Sequence, residues 1–293
     1  MKALIIAEHA AAAAELVAGA RTMADEVVAI SFGGAYECGA DKVLNITVPE
    51  GLTVDSAVET VNAAFDAENP EVVLVEACRH MKVIAGSLAF HADTAVITDV
   101  TAFEAEGAKS MYFGGIAERV QKAAGNVAIY TIGAGVFDGA EGANGSVAEQ
   151  EWVAPARPVK VVSSQVIEKS GVNLFKADVV VAAGRGFAEE SQLSMANDLC
   201  DKLGAGLACS RPLTEGVNWL PTERYVGVSG LMLTPKAYSA VGISGQMQHM
   251  VGCNRSGAIF AINKDKNAPI FKQCDFGLVG DIKDVLPAIT AAL

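Results

Sequence analysis

The chain has 293 residues, 51% of them hydrophobic, which is enough apolar material for two buried cores and excludes disorder as its main state. Its 22 Lys and Arg against 34 Asp and Glu give a net charge of −12, which opposes binding to nucleic-acid phosphates or anionic membrane surfaces. With 29 glycines and only 6% aromatic residues, small-residue packing of helices on a parallel sheet is favoured over an aromatic-rich β-sandwich.

Residues 3–7 read as a first core strand and not as a signal peptide, because the short apolar run leads straight into Glu8 and His9. A helix over 11–23, a strand over 27–32, a helical pattern over 54–68 and, after Pro70, a strand over 72–76 make a βαβ rhythm. Short strands over 95–98, 110–113 and 127–132 fit an antiparallel excursion that closes the first domain. From Gly133 to Glu151 the chain is rich in Gly, Ala and acids with little periodicity. Pro155 and Pro158 follow, and a run over 159–167 finishes the domain. The boundary is expected near Gly171, giving domains 1–170 and 171–293.

The mean hydropathy is +0.32, yet every apolar run is cut before the roughly 20 residues of a spanning helix. No membrane insertion is expected, and the chain reads as a soluble cytoplasmic protein. Cys38, Cys78, Cys200, Cys209, Cys253 and Cys274 form no CxxC pair, so buried reduced thiols are expected and neither a metal site nor a redox dithiol.

In the second half, each apolar strand runs directly into small or polar residues. A strand over 178–183 leads to Gly184, Arg185 and Gly186. A helix from about Glu189 follows, with Leu193, Ala196, Leu199 and Leu203 on one face and Gly204 as its stop. Strands over 207–209, 225–228 and 240–243 deliver Ser210 and Arg211, then Ser229 and Gly230, then Ser244 and Gly245 before a helix bearing Gln248 and His249. Strands over 258–262 and 276–279 deliver Asn263, Lys264 and Asp265, then Gly280 and Asp281, and a helix over 281–293 closes the chain.

The fold class is therefore α/β in two domains: an N-terminal Rossmann-like domain and a C-terminal doubly wound parallel sheet. Ligands of such sheets bind outside the carboxyl ends of the strands. Arg185, Ser210, Arg211, Ser229, Ser244, Asn263 and Asp281 all fall there. Gly184, Gly186, Gly230, Gly242 and Gly245 allow close backbone approach, and amides at the following helix starts face an anion. A dinucleotide fits this rim. Neither Gly184-Arg-Gly186 nor Gly133-Ala-Gly135 completes a GxGxxG fingerprint.

The segments Val179-Val-Val-Ala-Ala-Gly-Arg-Gly186, Ala208-Cys-Ser-Arg211, Val226-Gly-Val-Ser-Gly230, Ala240-Val-Gly-Ile-Ser-Gly-Gln-Met-Gln-His249, Ala261-Ile-Asn-Lys-Asp265, Ala268-Pro-Ile-Phe271 and Asp275-Phe-Gly-Leu-Val-Gly-Asp281 carry more. Together they resemble the FAD-binding half of the electron transfer flavoprotein alpha subunit (FixB family), in order across 173–293. Leu4-Ile-Ile-Ala-Glu-His9 also resembles the family's start.

The resemblance implies FAD as cofactor. It sets Arg185, whose charge cannot titrate away, against the isoalloxazine ring. It has His249, in the Gln248-His249 motif, donating to flavin O2 from the first turn of a helix whose dipole acts in the same sense. Without the family, Arg185 reads as a surface loop arginine and His249 as a half-buried core histidine. Ser229 replaces the Thr common beside flavin N5. Val228 replaces the usual Gln, which removes an amide beside the ring and bears on redox tuning. Ser210 and Arg211 would hold the ring and diphosphate region. Ser244 and the backbone of Gly242, Gly245 and Gln246 would receive the diphosphate and ribityl chain. Asn263 and Asp281 would meet the adenosine end, Asp281 reading equally as the N-cap of the last helix. His9, His80 and His91 receive no role in electron transfer.

The resemblance further implies a heterodimeric electron carrier and no bond-making catalysis by this chain. It would be completed by a beta subunit, with flavin dehydrogenases such as the acyl-CoA dehydrogenases of fatty acid oxidation as donors and a quinone or other oxidoreductase as acceptor. Some relatives' beta subunits hold a second FAD for electron bifurcation and others AMP. The alternatives are a nicotinamide-dependent dehydrogenase, opposed by the missing GxGxxG and the lack of a general acid, and a non-catalytic nucleotide-binding regulator.

Overall fold

The computed structural model describes residues 1–139, 142–165 and 172–293. The chain divides into two compact units, Met1–Tyr112 with Ala117–Val166 and Phe113–Ile116 with Ile167–Leu293. The boundary expected at Gly171, and the end of the 159–167 run, lie outside the described residues.

The first unit contains β1 (Lys2–Ile6), α1 (Ala10–Arg21), β2 (Glu26–Phe32), β3 (Lys42–Ile46), α2 (Val58–Glu68), β4 (Val72–Glu76), α3 (Arg79–His91) and β5 (Val96–Glu104). After these come β6 (Gly107–Tyr112), β7 (Ala117–Gln121), β8 (Ala128–Ile132) and β9 (Ser146–Glu149). They make one nine-stranded sheet ordered β7-β6-β5-β8-β4-β1-β2-β3-β9. Its central strands are near-continuous apolar runs because both faces are covered. Alternate residues Leu4, Ile6, Val28, Ile30 and Val73 pack with Val61, Ile84 and Leu88 of α2 and α3. The intervening Ala3, Ile5, Val27 and Leu74 pack with Leu16 and Val17 of α1.

Three expectations are corrected here. The antiparallel excursion is confined to β5, β6 and β7. The run over 127–132 is the parallel strand β8, inserted between β4 and β5. The stretch before Glu151 contains β9, an edge strand parallel to β3. All four residues of β9 are exposed, so no apolar alternation marks it; a hydrogen bond from Asn45 to Glu149 (2.8 Å) ties it in place. The described part of the 159–167 run forms no strand and docks through an isolated bridge from Lys160 to Leu52, with Val159 N donating to Ser56 Oγ and Val161 N to Gly51 O, each at 2.9 Å.

His9 and His80, unassigned from sequence, sit at the carboxyl ends of β1 and β4. Glu76 accepts from the Glu8 and His9 amides (2.8 and 3.1 Å) and from His9 Nδ1 (2.7 Å), and so fixes the two residues that lead into α1. His80 Nδ1 donates to Glu8 at 2.9 Å.

The second unit contains β10 (Val179–Ala183), α4 (Leu193–Leu203), β11 (Gly206–Cys209) and β12 (Ala237–Val241). It continues with α5 (Met247–Met250), β13 (Ala258–Asn263), β14 (Phe276–Val279) and α6 (Ile282–Ala292). The five strands are all parallel, in the order β11-β10-β12-β13-β14. Val181, Ala183, Val241 and Ile262 face Leu193, Leu199 and Leu286 of α4 and α6. On the other face Val180, Ala182, Tyr238 and Ala240 meet Val226, Leu233, Met250 and Ile270. Helix α4 ends at Gly204 in the left-handed conformation (φ +60°), as its sequence predicts.

The segment over 225–228 is not a strand. It makes isolated bridges from Tyr225 to Cys209 and from Val226 to Leu231, because Gly227 at φ +151° turns the chain back on itself. The helix expected to carry Gln248 and His249 is the single turn α5, too short to supply the anticipated dipole.

Candidate functional site

From β10 the chain crosses to β11 on one side and returns to β12 on the other, so the topological switch point lies between the carboxyl ends of β10 and β12. Two glycine loops meet there. Gly186 N donates to Gly242 O at 2.9 Å. A Cβ on Gly184 would lie 2.4 Å from Gly242 O, and one on Gly186 would lie 2.5 Å from Gly242 Cα. Only glycine lets the loops close, and their closure aims the residues between and beyond them into one cleft.

That cleft has a volume of about 630 Å³, within the range of small-molecule and cofactor sites. Arg185, Ser210, Arg211, Val228, Ser229, Gly242, Ser244, Gln246, Gln248, His249, Asn263 and Asp281 all line it, so residues far apart in sequence converge as expected. Gly230 and Gly245 do not. A Cβ on Gly230 would strike Tyr225 O at 2.4 Å, and one on Gly245 (φ +84°) would strike the Ile270 backbone at 2.4 Å. These two glycines shape the turns that carry Ser229 and Ser244.

Sequence reasoning missed Tyr225, Lys264 and Lys283 among the lining residues. Lys264 lies inside the Ala-Ile-Asn-Lys-Asp segment and was legible there. Tyr225 was hidden by its reading as a strand residue. Although the chain is strongly acidic, the charged lining residues are Arg185, Arg211, Lys264 and Lys283 against the single carboxylate of Asp281. Glu215 engages Arg211 Nε and raises its pKa. The side chains of Arg185, Lys264 and Lys283 have no ion-pair partner among the described residues.

Asp281 is realised as an N-cap, accepting from Lys283 N at 2.9 Å, while still lining the cleft. Asn263 is engaged at both ends of its amide, donating to Ile243 O and accepting from Asp265 N, each at 2.9 Å. It therefore braces the loops after β12 and β13. The Ser229 hydroxyl pairs with Tyr225 Oη at 3.1 Å. Val228 N donates to Gln248 O at 2.8 Å, which clamps its turn to α5 and leaves the apolar Val228 side chain 46% exposed.

His249 is only 8% exposed. Its Nε2 lies 2.9 Å from Tyr238 Oη, and its Nδ1 has no hydrogen-bond partner among the described residues. Burial pushes its pKa down to about 4, and the nearby Val226 backbone opposes this without an aligned hydrogen bond. The ring is therefore neutral near pH 7. It is turned onto Tyr238 and not onto a serine hydroxyl, so no nucleophile and base pair is assembled there.

A cationic, glycine-closed cleft at the switch point of a parallel α/β sheet defines a nucleotide-cofactor-binding protein. The comparisons with known proteins narrow the class. The electron transfer flavoprotein domain matches residues 3–157, and the electron transfer flavoprotein FAD-binding domain matches residues 173–254. Protein FixB of Escherichia coli O157:H7 is 39% identical over 293 residues, covering 95% of this chain and 94% of that protein. Protein FixB of Shigella flexneri shows the same identity and coverage. The chain belongs to the electron transfer flavoprotein alpha-subunit family, the FixB family. Members of that family are flavin-binding electron carriers that pair with a beta subunit. Among the described residues no helix is long and apolar enough to cross a membrane.

Proposed function

We propose that the cleft between β10 and β12 holds FAD and that this chain, with its beta subunit, carries electrons from flavin dehydrogenases such as acyl-CoA dehydrogenases to a quinone or other oxidoreductase. The observation that carries this reading is the concentration of unpaired positive charge, led by Arg185, in a glycine-closed cleft of an otherwise acidic chain. We assign residues 1–170 and 171–293 to its two domains and place the protein in the cytoplasm, where its unpaired thiols stay reduced.

FAD, when bound, supplies the redox chemistry. The chain's residues bind, orient and shield it. Arg185 sets a permanent positive charge beside the ring, where reduction deposits negative charge. Ser210 and Arg211 hold the ring and diphosphate region, and Ser244 with the backbone of Gly242 and Gln246 receives the phosphates. Lys264 and Lys283 add charge at the same rim, and Asp281 keeps one carboxylate oxygen available for ribose while the other caps α6. Val228 gives the cleft an apolar wall, and Ser229 keeps a hydroxyl beside it.

The test is anaerobic stepwise reduction of the chain purified with its beta subunit and loaded with FAD. Arg185→Ala is expected to lower the one-electron potential by the equivalent of about 1.5–3 kcal/mol, the worth of a hydrogen bond to a charged group, with unchanged circular dichroism. An unchanged potential removes Arg185 from this role. Failure to bind FAD with the beta subunit present overturns the reading.

A further inference from the structure

Tyr238 lies on β12 with no exposed surface, beneath the cleft and outside its lining. Its one hydrogen bond to a nitrogen is the 2.9 Å contact with His249 Nε2. A neutral imidazole has one donor and one acceptor nitrogen, and the partner of one nitrogen decides the state of the other.

Two features of the site decide the direction of this bond. If Nε2 carried the proton, the buried phenol would accept it, and its own hydrogen would be left with the sulfur of Cys253, a weak acceptor. In that form the lone pair on Nδ1 would also face the neighbouring Val226 carbonyl, the backbone group that acts on the ring. If the phenol donates to Nε2 instead, both costs vanish and Nδ1 carries the hydrogen. The phenol always has a proton to give, because burial, with the Cys253 and Cys209 thiols nearby, holds its pKa well above the usual value of 10.0. Cys253, pushed up to about 12 by burial, likewise remains a neutral thiol. Among the described residues no charged side chain acts on the ring from the elements packed around it.

We propose that Tyr238 is a positioning residue for the electron carrier: by donating to His249 Nε2 it fixes the imidazole as the neutral form protonated at Nδ1, which makes no aligned hydrogen bond among the described residues and serves the flavin. The inference rests on the FAD reading of the cleft. It gives Tyr238, which does not itself line the cleft, control over the donor that the flavin meets. His249 then acts as a neutral hydrogen-bond donor, and the permanent charge comes from Arg185.

The test begins with the full-length chain labelled with ¹⁵N at histidine, the His249 signals being assigned with His249→Gln. Wild type is expected to show His249 protonated at Nδ1 and unprotonated at Nε2. Tyr238→Phe, which keeps the ring and its packing, is expected to shift the population toward Nε2–H. In the FAD-loaded complex with the beta subunit, Tyr238→Phe is expected to keep stoichiometric FAD. It should also weaken the first one-electron reduction about tenfold in its equilibrium constant, the worth of roughly one hydrogen bond. A merely structural role moves neither the tautomer nor the potential while leaving FAD bound. Nε2–H in the wild-type chain overturns the proposal without any variant, as does a Tyr238→Phe protein with unchanged tautomer and potential. Failure of wild type to bind FAD instead strikes the cofactor reading, and it is distinguishable because the tautomer is read in the cofactor-free chain.

Discussion

Gly242→Ala is expected to destabilise the second unit by about 2–5 kcal/mol, combining left-handed strain with overpacking, and to weaken FAD binding. Gly242 has φ +65°, and a Cβ there would lie 2.7 Å from Gly186 Cα and 3.0 Å from Gly186 N. Those are backbone atoms of the opposing loop, which no side-chain rotation can move aside. The loops after β10 and β12 must separate, the Gly186 to Gly242 hydrogen bond is lost, and Arg185 leaves its place in the rim. Urea unfolding and FAD titration measure the two effects. Gly86→Ala is the control, because Gly86 lies within helix α3 and a Cβ there meets nothing within 4 Å. It is expected to be stabilising by about 0.5–1 kcal/mol. A Gly242→Ala protein as stable as wild type would mean that the loop closure is not tightly held.

The stability of the cofactor-free chain is expected to carry a pH dependence from His249. Its pKa is lowered from 6.5 in the unfolded chain to about 4 in the folded one. Between these values the unfolded chain holds more protons, so stability rises with pH. The contribution is fully present above pH 6.5 and is lost as pH falls toward 4, about 3 kcal/mol in all. Carboxylates titrate over part of the same range, so the readout is the difference between wild type and His249→Gln. Their stabilities from urea unfolding should converge or cross as pH falls from 7 to 4. Parallel curves would show that the ring is not buried neutral.

Much of the second unit was legible in the sequence because each strand there is a short apolar run ended by glycine or a polar residue. Val179 to Ala183, the Leu193 face of α4 and Phe276 to Val279 follow directly from such patterns. In the first unit β3, α3, β7 and β9 were passed over. Strand β9 is wholly exposed and held by an Asn45 to Glu149 hydrogen bond, and no hydrophobic period records an edge of that kind. The strand read at Tyr225 to Val228 failed for the opposite reason. Its residues are apolar enough for a strand, but Gly227 and Gly230 bend them into a turn whose packing is with Tyr225, Gln248 and Leu231.

The site divides along the same physical line. Residue chemistry and order by themselves determined the parallel α/β class, the polar strand ends that form one rim, and the positions of Arg185, Ser210, Arg211 and Ser244 within it, because strand periodicity and chain order are local properties; His249 was placed there only by the family resemblance. Only the tertiary structure decided that Gly230 and Gly245 support turns outside the cleft, that Asn263 braces two loops, that Asp281 caps α6, and that His249 is neutral and held by Tyr238. Those outcomes depend on burial and on contacts between residues distant in sequence. Desolvation and hydrogen-bond direction exist only once such residues have been brought together.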